Sequence, residues 1–274
     1  MRFLSFNIRY DNPADGLDAW PHRISAVAEL IARYRPDAVG LQEAKRHQIL
    51  DLQRALGSVH DLGYAWVGVG RDDGREGGEH NPIFYRRSVL DLQASGTFWL
   101  SDTPDQPGSR FEGSPLPRIC TGCRFQRAGE KPFFFFNTHF DYLSPTVQEK
   151  SAALLLARIP TIAGLYPAVL VGDFNCAPRS AAHRLLASSF FQDAREAAAA
   201  LPADRNINPR AGTFTDFRSP YEAAVVFSGE ATVDHAFTSG FRIERREVSL
   251  DVRKDNGRCI SDHRALVIDA SMAV

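Results

Sequence analysis

The sequence has few cysteines, and their arrangement argues against a zinc or redox site. Four of the 274 residues are cysteine, and Cys120 and Cys123 form a C-x-x-C motif, a spacing found in zinc sites and redox pairs. The motif lies in a stretch, 118–125, that has the composition of a β-strand, so an offset of three places the two side chains on opposite faces. No second C-x-x-C or nearby histidine pair completes four zinc ligands. We therefore expect reduced, unreactive thiols, including Cys176, which directly follows a candidate site residue.

The sequence also lacks an excess of charge of either sign. It carries 32 Lys and Arg against 33 Asp and Glu, which gives a formal net charge of -1. Proteins held to nucleic acid mainly by charge have a strongly basic surface. The balance therefore weakens the case for nucleic acid as the partner, but it is compatible with a locally basic groove.

Long hydrophobic runs are missing as well. No apolar stretch approaches the roughly 20 residues that cross a bilayer, so no transmembrane segment is expected. The pattern of a β-strand begins at Arg2, with no secretory signal before it. We expect a cytoplasmic protein, although a chain whose leader had been removed would have the same sequence.

The composition that is present is that of an ordinary globular protein, with 44% hydrophobic and 24% charged residues. Large β or α/β folds often run to about 250 residues as one domain, so we expect a single domain over 1–274 and a monomer. Hydrophobic periodicity indicates about a dozen strands and about five helices in mixed order. This combination favours an α+β protein of two packed sheets with helices outside.

Prolines predict two local features. Residues 101–117 contain several prolines and glycines, which predicts a long irregular loop that forms one wall of a substrate site. The helix predicted over 146–159 is expected to end or kink at Pro160. Further along, 221–230 is predicted to be irregular and 231–237 to be a strand.

Polar side chains follow several apolar strands where each strand ends. The apolar run 169–171 ends at Gly172, and Asp173 and Asn175 follow, two positions apart. Three other strings end in the same way, at Asn7, at His139 with Asp141, and at Asp262 with His263. Because proteins with buried sheets place their chemistry at the carboxyl ends of strands, we expect these ends to meet.

The residue types at these ends suit the hydrolysis of a phosphate ester. That reaction needs a divalent cation, a group that activates water, and donors for the developing charge. Glu43, at another strand end, and Asn7 fit the sparse oxygen coordination of Mg²⁺, with Asp262 as a further candidate ligand. Asp173 is a candidate to activate or orient water, and Asn175 to donate to the phosphate.

The histidines supply the remaining candidates. His263 is a candidate for either the general base or a donor to phosphate, and Asp234 is a candidate to orient its ring, as carboxylates orient imidazoles elsewhere. His139 is a candidate to hold a second phosphoryl oxygen.

Six strings together resemble those of the endonuclease/exonuclease/phosphatase superfamily. They are Ser5-Phe6-Asn7, Leu41-Gln42-Glu43, Asn137-Thr138-His139, Gly172-Asp173-Phe174-Asn175, Val233-Asp234-His235 and Ser261-Asp262-His263-Arg264-Ala265. The resemblance spans residues 5–265. It implies a deoxyribonuclease-I-like fold, which is a four-layer α/β/β/α sandwich of two mixed β-sheets flanked by helices. It also implies Mg²⁺ or Mn²⁺ as cofactor and a phosphate mono- or diester as substrate.

The resemblance assigns roles that agree with the chemical argument. Glu43 resembles the metal-binding glutamate, Asn7 its neighbouring asparagine, and Asp262 a second carboxylate on the metal side. Asp173 and Asn175 resemble the pair at the scissile phosphate.

The remaining assignments concern the two histidines and the substrate. His263 resembles the catalytic histidine and Asp234 its orienting partner. His139 resembles a phosphate-binding histidine that pairs with a glutamate in the deoxyribonuclease branch, and Glu79 is similar to that glutamate. We also expect three side chains to bind substrate: Arg9, Asn81 and Asp141.

Three functions stay open at this point. The first is a metal-dependent phosphoesterase that acts on a small or lipid-derived phosphate. The second is a nuclease on DNA or RNA, which would need a groove of basic residues around the site. The candidates for that groove are Lys45, Arg46, Arg86, Arg87, Arg118, Arg253 and Lys254. The third is a binding module that kept the fold without activity, against which the complete set of acids, amides and histidines argues.

Overall fold

Two β-sheets lie at the centre of the protein, which a computed structural model describes over residues 1–58, 62–188, 190–217 and 232–273. In chain order the strands are β1 (Arg2–Asn7), β2 (Ala38–Gln42), β3 (Tyr64–Val67), β4 (Ile83–Arg86), β5 (Leu90–Trp99), β6 (Ile119–Arg127), β7 (Phe133–His139), β8 (Ala168–Asp173), β9 (Gln192–Asp193), β10 (Asn206–Ile207), β11 (Asp234–Ser239), β12 (Phe241–Val248) and β13 (Leu266–Met272). The helices are α1 (Ile24–Tyr34), α2 (Arg46–Ser58), α3 (Pro145–Ala163), α4 (Ala181–Ala187) and α5 (Ala194–Ala198), with short 3-10 helices at Pro13–Asp18 and Trp20–His22.

Both sheets mix parallel and antiparallel pairs. One has the order β10-β12-β13-β1-β2-β4-β3, and the other β5-β6-β7-β8-β11-β9. β1 is parallel to β2 and antiparallel to β13, while β8 is parallel to β7 and antiparallel to β11. In each parallel pair the polar ends are register partners, Asn7 with Gln42 and His139 with Asp173. The topology therefore gathers the predicted strand-end residues at one edge of each sheet.

The two sheets face each other across an aromatic core. Phe3 of β1 stacks on Phe135 of β7 with 5.4 Å between ring centroids, and both are fully buried. Alternate residues of the apolar run in β7 point outwards, where Phe136 packs with residues of α3. On the far side of the other sheet, α1 and α2 pack on a separate cluster that includes Leu4 and Val39. The expected α/β/β/α sandwich is confirmed.

One buried amide joins the sheets. Asn137 of β7 donates from Nδ2 to the carbonyl oxygens of Leu41 (2.7 Å) and Pro82 (3.0 Å), and Gln42 Nε2 donates to its Oδ1 (2.6 Å). The close approach needs Gly40, because a Cβ there would come within 2.7 Å of Asn137 Cγ. Asn137 thus fixes the two sheets against each other directly below the strand ends.

The long third helix differs from the expectation at its carboxyl end. It begins as predicted, with Ser144 Oγ accepting from the backbone N–H of Val147 and a proline at its first position. It does not break at Pro160 but continues to Ala163, and it ends at Gly164, which has a φ of 59°. Proline removes one hydrogen bond, and the buried side chains of Ile159 and Ala163 hold the last turn against the sheet.

The other predictions about local structure are easily compared with the fold. Cys120 and Cys123 lie on opposite faces of β6, in different core clusters, and both are free. Burial raises the pKa of each thiol, as expected of unreactive cysteines. The loop 101–117 is irregular. The stretch 221–230 and the start of the strand predicted from 231 lie outside the described residues. None of the described helices is both long enough and apolar enough to span a bilayer.

Candidate active site

Most of the predicted site residues line one cavity of about 450 Å³ at the polar ends of the strands. The predicted residues around it are Arg9, Glu43, Glu79, His139, Asp173, Asn175, Asp262 and His263. Three of them are non-glycine residues with positive φ, namely Arg9 (56°), Glu43 (61°) and Asn175 (48°). Such backbone is costly for residues other than glycine and concentrates at functional sites.

Asn7 lies beneath the cavity and connects its two halves. Its fully buried side chain donates from Nδ2 to Glu43 Oε1 and to Asp173 Oδ2, each at 3.0 Å. Its Oδ1 accepts the backbone N–H of Arg9 at 2.9 Å. The amide therefore holds the carboxylates of the two sheets in a fixed relation, with its oxygen directed to the backbone.

Asp234 and His263 form a buried pair beside Asp173. Asp234 Oδ2 lies 2.8 Å from His263 Nδ1, and the other ring nitrogen, Nε2, lies 3.6 Å from Asp173 Oδ2. Burial alone would lower the pKa of His263, but the carboxylates of Asp234 and Asp173 outweigh it and raise that pKa well above 6.5. This environment favours the charged form of the ring, with Nε2 directed at the cavity.

Asp173 is itself a perturbed acid. Burial, with the nearby charge of Asp234, raises its pKa to about 7. The backbone N–H of Asn175 donates to Asp173 Oδ1 at 2.9 Å, which orients the carboxylate. The second oxygen, Oδ2, is the one that faces Asn7 and His263.

His139 and Asn175 lie side by side at the cavity wall. Asn175 Nδ2 is 2.9 Å from His139 Nε2 and donates to the carbonyl of Phe140 at 3.1 Å. Burial, reinforced by the charges of Arg118 and Arg71, lowers the pKa of His139 well below 6.5. The two histidines thus differ, since His139 is neutral while His263 is charged.

The carboxylates fit a divalent cation. Glu43, His139 and Asp173 offer ligand atoms within 4.8 Å of one another, and so do Asp173, Asp234 and His263. Burial, and then the charge of Glu43, raise the pKa of Asp262, so this cavity gathers like charges that a cation would offset. Oxygen ligands of this kind suit Mg²⁺.

The metal ligands predicted from the sequence overlap only in part with these groups. Glu43 belongs to the first group. Asp262 lines the same cavity, with Oδ2 at 3.7 Å from Arg9 Nη1, and Asn7 directs its nitrogen rather than its oxygen towards the carboxylates.

Glu79 lies in the cavity but faces an arginine. Its Oε2 lies 2.5 Å from Arg71 Nη1, and among the described residues no hydrogen bond joins it to His139. Arg71 was not predicted at the site, whereas Arg118 was named only as a candidate for a basic groove around it; both are at least nine-tenths buried. Arg118 lines the cavity. Its place between the irregular loop and β6 was a further signal in the sequence.

Two predicted substrate-binding residues have other contacts. Asn81 Nδ2 donates to the carbonyl of Ile119 at 2.9 Å. Asp141 is fully buried and accepts the backbone N–H groups of Leu143 and Ser144 at 2.9 and 2.8 Å. Neither is among the described residues that line the cavity. Both hold the neighbouring loops in place.

Solved structures similar to this chain span almost its whole length. An endonuclease/exonuclease/phosphatase from Bacteroides vulgatus is 32% identical, with 99% of this chain and 98% of that chain covered and a TM-score of 0.85. A mannosyl-6-phosphatase from Bacteroides thetaiotaomicron is 30% identical, with 99% and 100% covered and a TM-score of 0.85. The human Nocturnin catalytic domain with bound sulfate anion is 19% identical, with 100% and 93% covered and a TM-score of 0.72, which shows a shared fold.

A family model described as Endonuclease/Exonuclease/phosphatase family matches residues 4–263. The match includes the strand ends that surround the cavity, from Asn7 to His263. This chain belongs to the endonuclease/exonuclease/phosphatase family.

Proposed function

We propose that the protein is a phosphoesterase dependent on Mg²⁺ or Mn²⁺ that hydrolyses a small or lipid-derived phosphate ester. The observation that carries this proposal is the meeting of Asp173, the Asp234–His263 pair and Glu43 around one cavity. The reaction needs three things: carboxylates that bind a cation, a carboxylate that activates water by accepting its proton, and donors for the phosphate oxygens.

Glu43 and Asp262 would hold the cation, and Asn7 would keep Glu43 in position relative to Asp173. The bound cation would neutralise charge on the phosphoryl oxygens. Arg9, which forms an ion pair with Asp15 and lies near Asp262, would limit the negative charge of this half of the cavity and contact the substrate.

Asp173 would orient the attacking water and accept its proton. His263, fixed at Nδ1 by Asp234, would donate from Nε2 to a phosphoryl oxygen. Asn175 and His139 would bind a second oxygen from the opposite wall, and their mutual hydrogen bond would open as the substrate enters.

Arg118 completes the phosphate site in this proposal. Its side chain lines the cavity, and a buried guanidinium binds a phosphate well because its donors match the oxygens. Glu79, paired with Arg71, would keep that second arginine in place. Asn81 and Asp141 would act on the substrate only through the loops that they hold.

A small substrate is favoured over nucleic acid by where the basic residues lie. Arg86, Arg253 and Lys254 form ion pairs with carboxylates away from the cavity, so they do not extend a basic groove around it. Three of the seven predicted residues, Lys45, Arg46 and Arg118, lie in this cavity or in the one that adjoins it. The similarity to a mannosyl-6-phosphatase at 30% identity supports sugar phosphates as the first class to test.

The experiment is a substrate panel with Mg²⁺ or Mn²⁺. It covers sugar phosphates, inositol phosphates, sphingomyelin, a generic diester, and single- and double-stranded nucleic acid. The expected result is rapid phosphate release from a small ester that chelator abolishes and that Asp173→Asn or His263→Ala reduces by orders of magnitude. Asp105→Asn, an exposed acid paired with Arg158, is the matched control. Turnover that survives excess chelator or either site variant would refute the assigned mechanism.

A further inference from the structure

A second cavity of about 450 Å³ adjoins the candidate active site. Tyr10 and Glu79 line both cavities, so the two are neighbours across these side chains. The rest of the second cavity is strongly basic, with Lys45, Arg46 and Arg71 on its walls. The proposed hydrolysis assigns no role to this space.

Lys45 is the cation best placed to receive a ligand. It lies two residues after Glu43, and its Nζ donates to the carbonyl of Asp11 at 3.1 Å and lies 5.0 Å from the centre of the Tyr10 ring. Within the described ranges, no carboxylate lies at ion-pair distance from it. An ammonium has three donors, so the amine keeps hydrogen-bonding capacity for an incoming anion.

Two arginines in the same cavity also have donors without acceptors. Arg71 is 8% exposed and pairs with Glu79 through Nη1; its Nε has no hydrogen-bond acceptor among the described groups, and Asp72 Oδ1 lies 3.8 Å from it. Arg46 lies over the Trp66 ring at 4.8 Å and contacts Glu76 at 3.3 Å, but its Nη1 has no acceptor among those groups. Both guanidinium groups lie in the walls of the cavity, and their positive charge favours an anion there.

The loop that carries Arg71 is held by hydrogen bonds within itself and to the neighbouring backbone. Asp73 Oδ1 accepts the backbone N–H groups of Arg75 and Gly77 at 2.8 and 2.9 Å. The backbone N–H of His80 donates to the carbonyl of Ala44 at 2.8 Å, which fastens the loop beside Lys45. These bonds hold the backbone of the loop that carries Arg71 beside Lys45.

We propose that this second cavity binds a further phosphate group of the substrate, so that the preferred ester carries two phosphates. The inference rests on the proposed function, because one phosphate must occupy the first cavity. Three cationic side chains face two acids, Glu76 and Glu79, in the lining, and a dianionic phosphate takes more of their free donors than a carboxylate would.

The test compares a hexose 6-phosphate with the matching hexose 1,6-bisphosphate in the presence of Mg²⁺. The wild-type protein is expected to favour the bisphosphate by about tenfold or more in kcat/KM, which is the order of one charge-assisted hydrogen bond. Lys45→Gln should reduce kcat/KM for the bisphosphate about tenfold more than for the monophosphate, mainly through KM. Arg54→Gln removes a charge from an exposed arginine of α2 that pairs with Asp51, and it should leave the preference unchanged.

Two further arms separate the possible outcomes. A short oligonucleotide tests whether a backbone phosphate fills the cavity instead, in which case Lys45→Gln would weaken its hydrolysis in the same way. Calorimetric titration of the hexose bisphosphate onto wild-type and Lys45→Gln protein measures binding without turnover. Equal affinities, or equal losses for both sugar phosphates, would overturn the second phosphate site. Absence of hydrolysis with all substrates would overturn the proposed function. The titration would still show whether the second cavity binds a phosphate group.

Discussion

Asp234 lies directly opposite Asp173 in the ladder between β11 and β8, and His263 contacts both carboxylates. Two buried acids side by side repel each other, and the imidazolium between them offsets that repulsion. The arrangement means that neither acid can change charge without affecting the other. It also directs Nε2 of His263 to the cavity and Nδ1 to Asp234.

A substitution of Asp234 tests whether this residue controls the catalytic role of His263. Asp234→Asn keeps the shape of the side chain but removes the negative charge that raises the pKa of His263, so the ring loses its positive charge and becomes a weaker donor to the phosphoryl oxygen. We expect kcat to fall by about 10² to 10⁴, the range seen for such orienting acids, with little change in KM. Steady-state phosphate release measures both constants.

Another buried acid–histidine pair, away from the active cavity, provides a matched control. Asp193 Oδ2 lies 3.2 Å from His183 Nε2, and neither is among the described residues that line the active cavity. Asp193→Asn should leave kcat per folded molecule within about twofold of wild type. If both substitutions reduced kcat alike, the special role of Asp234 would be lost.

Glu43 offers a prediction about metal binding that needs no turnover. A cation that binds only the folded protein raises its stability by mass action, by about 2.7 kcal/mol at a hundredfold excess over Kd. Mg²⁺ should therefore raise the melting temperature of the wild-type protein by several degrees, and Glu43→Gln should lose most of this shift. Glu149→Gln, at an exposed site on α3, should keep it. Equal shifts in all three proteins would exclude Glu43 as a ligand.

His235, next to Asp234, gives a prediction for stability as a function of pH. It is buried, with Nε2 at 2.9 Å from the carbonyl of Cys176, and burial lowers its pKa from 6.5 to about 4. Between these values the unfolded chain binds a proton that the folded protein does not. The free energy of unfolding should therefore fall as pH drops from 6.5 towards 4, by up to about 3 kcal/mol from this residue.

Urea denaturation at pH 7 and pH 4.5 checks this expectation. His235→Gln keeps a donor for the Cys176 carbonyl but cannot titrate, so its stability should depend less on pH than that of wild type. Neighbouring groups such as Asp193 titrate in both proteins, and the comparison cancels their contribution. Parallel curves for the two proteins would show that His235 does not cause the acid sensitivity.

The strand ends could be predicted from sequence because an apolar run followed by an acid or amide depends on local pattern alone. That is why Asp173 was anticipated, along with the sandwich itself. The same pattern was wrong for His263, which precedes β13 (Leu266–Met272) instead of following a strand, although the residue does line the cavity. The partners of long side chains could not be predicted in this way. Glu79 pairs with Arg71, and Arg118 points into the cavity, because a loop folds back over the site. The continuation of α3 through Pro160 could not be predicted either, because it depends on tertiary packing and not on local helix propensity.

Asn137 was quoted in a site motif, but its contacts give it a structural role that can be measured. It joins the sheets through the carbonyls of Leu41 and Pro82 and through Gln42 Nε2. Asn137→Leu fills a similar volume but removes these three hydrogen bonds. The Pro82 carbonyl still accepts the backbone N–H of Leu41 at 3.1 Å, and Gln42 Nε2 still donates to the Gly40 carbonyl at 3.2 Å. A buried group left unsatisfied costs about 1–3 kcal/mol, so we expect the free energy of unfolding to fall by about 2–3 kcal/mol.

The comparison for this change is Thr97→Val on β5, where the hydroxyl lies 3.2 Å from Thr121 Oγ1 in a partly buried pair. That substitution should cost about 1 kcal/mol or less. Both are measured by urea denaturation at pH 7. The amide lies between the sheets and below the cavity. Asn137→Leu should therefore lower the free energy of unfolding more than it lowers substrate affinity. A loss below about 1 kcal/mol would mean that the amide network adds little to holding the sheets together.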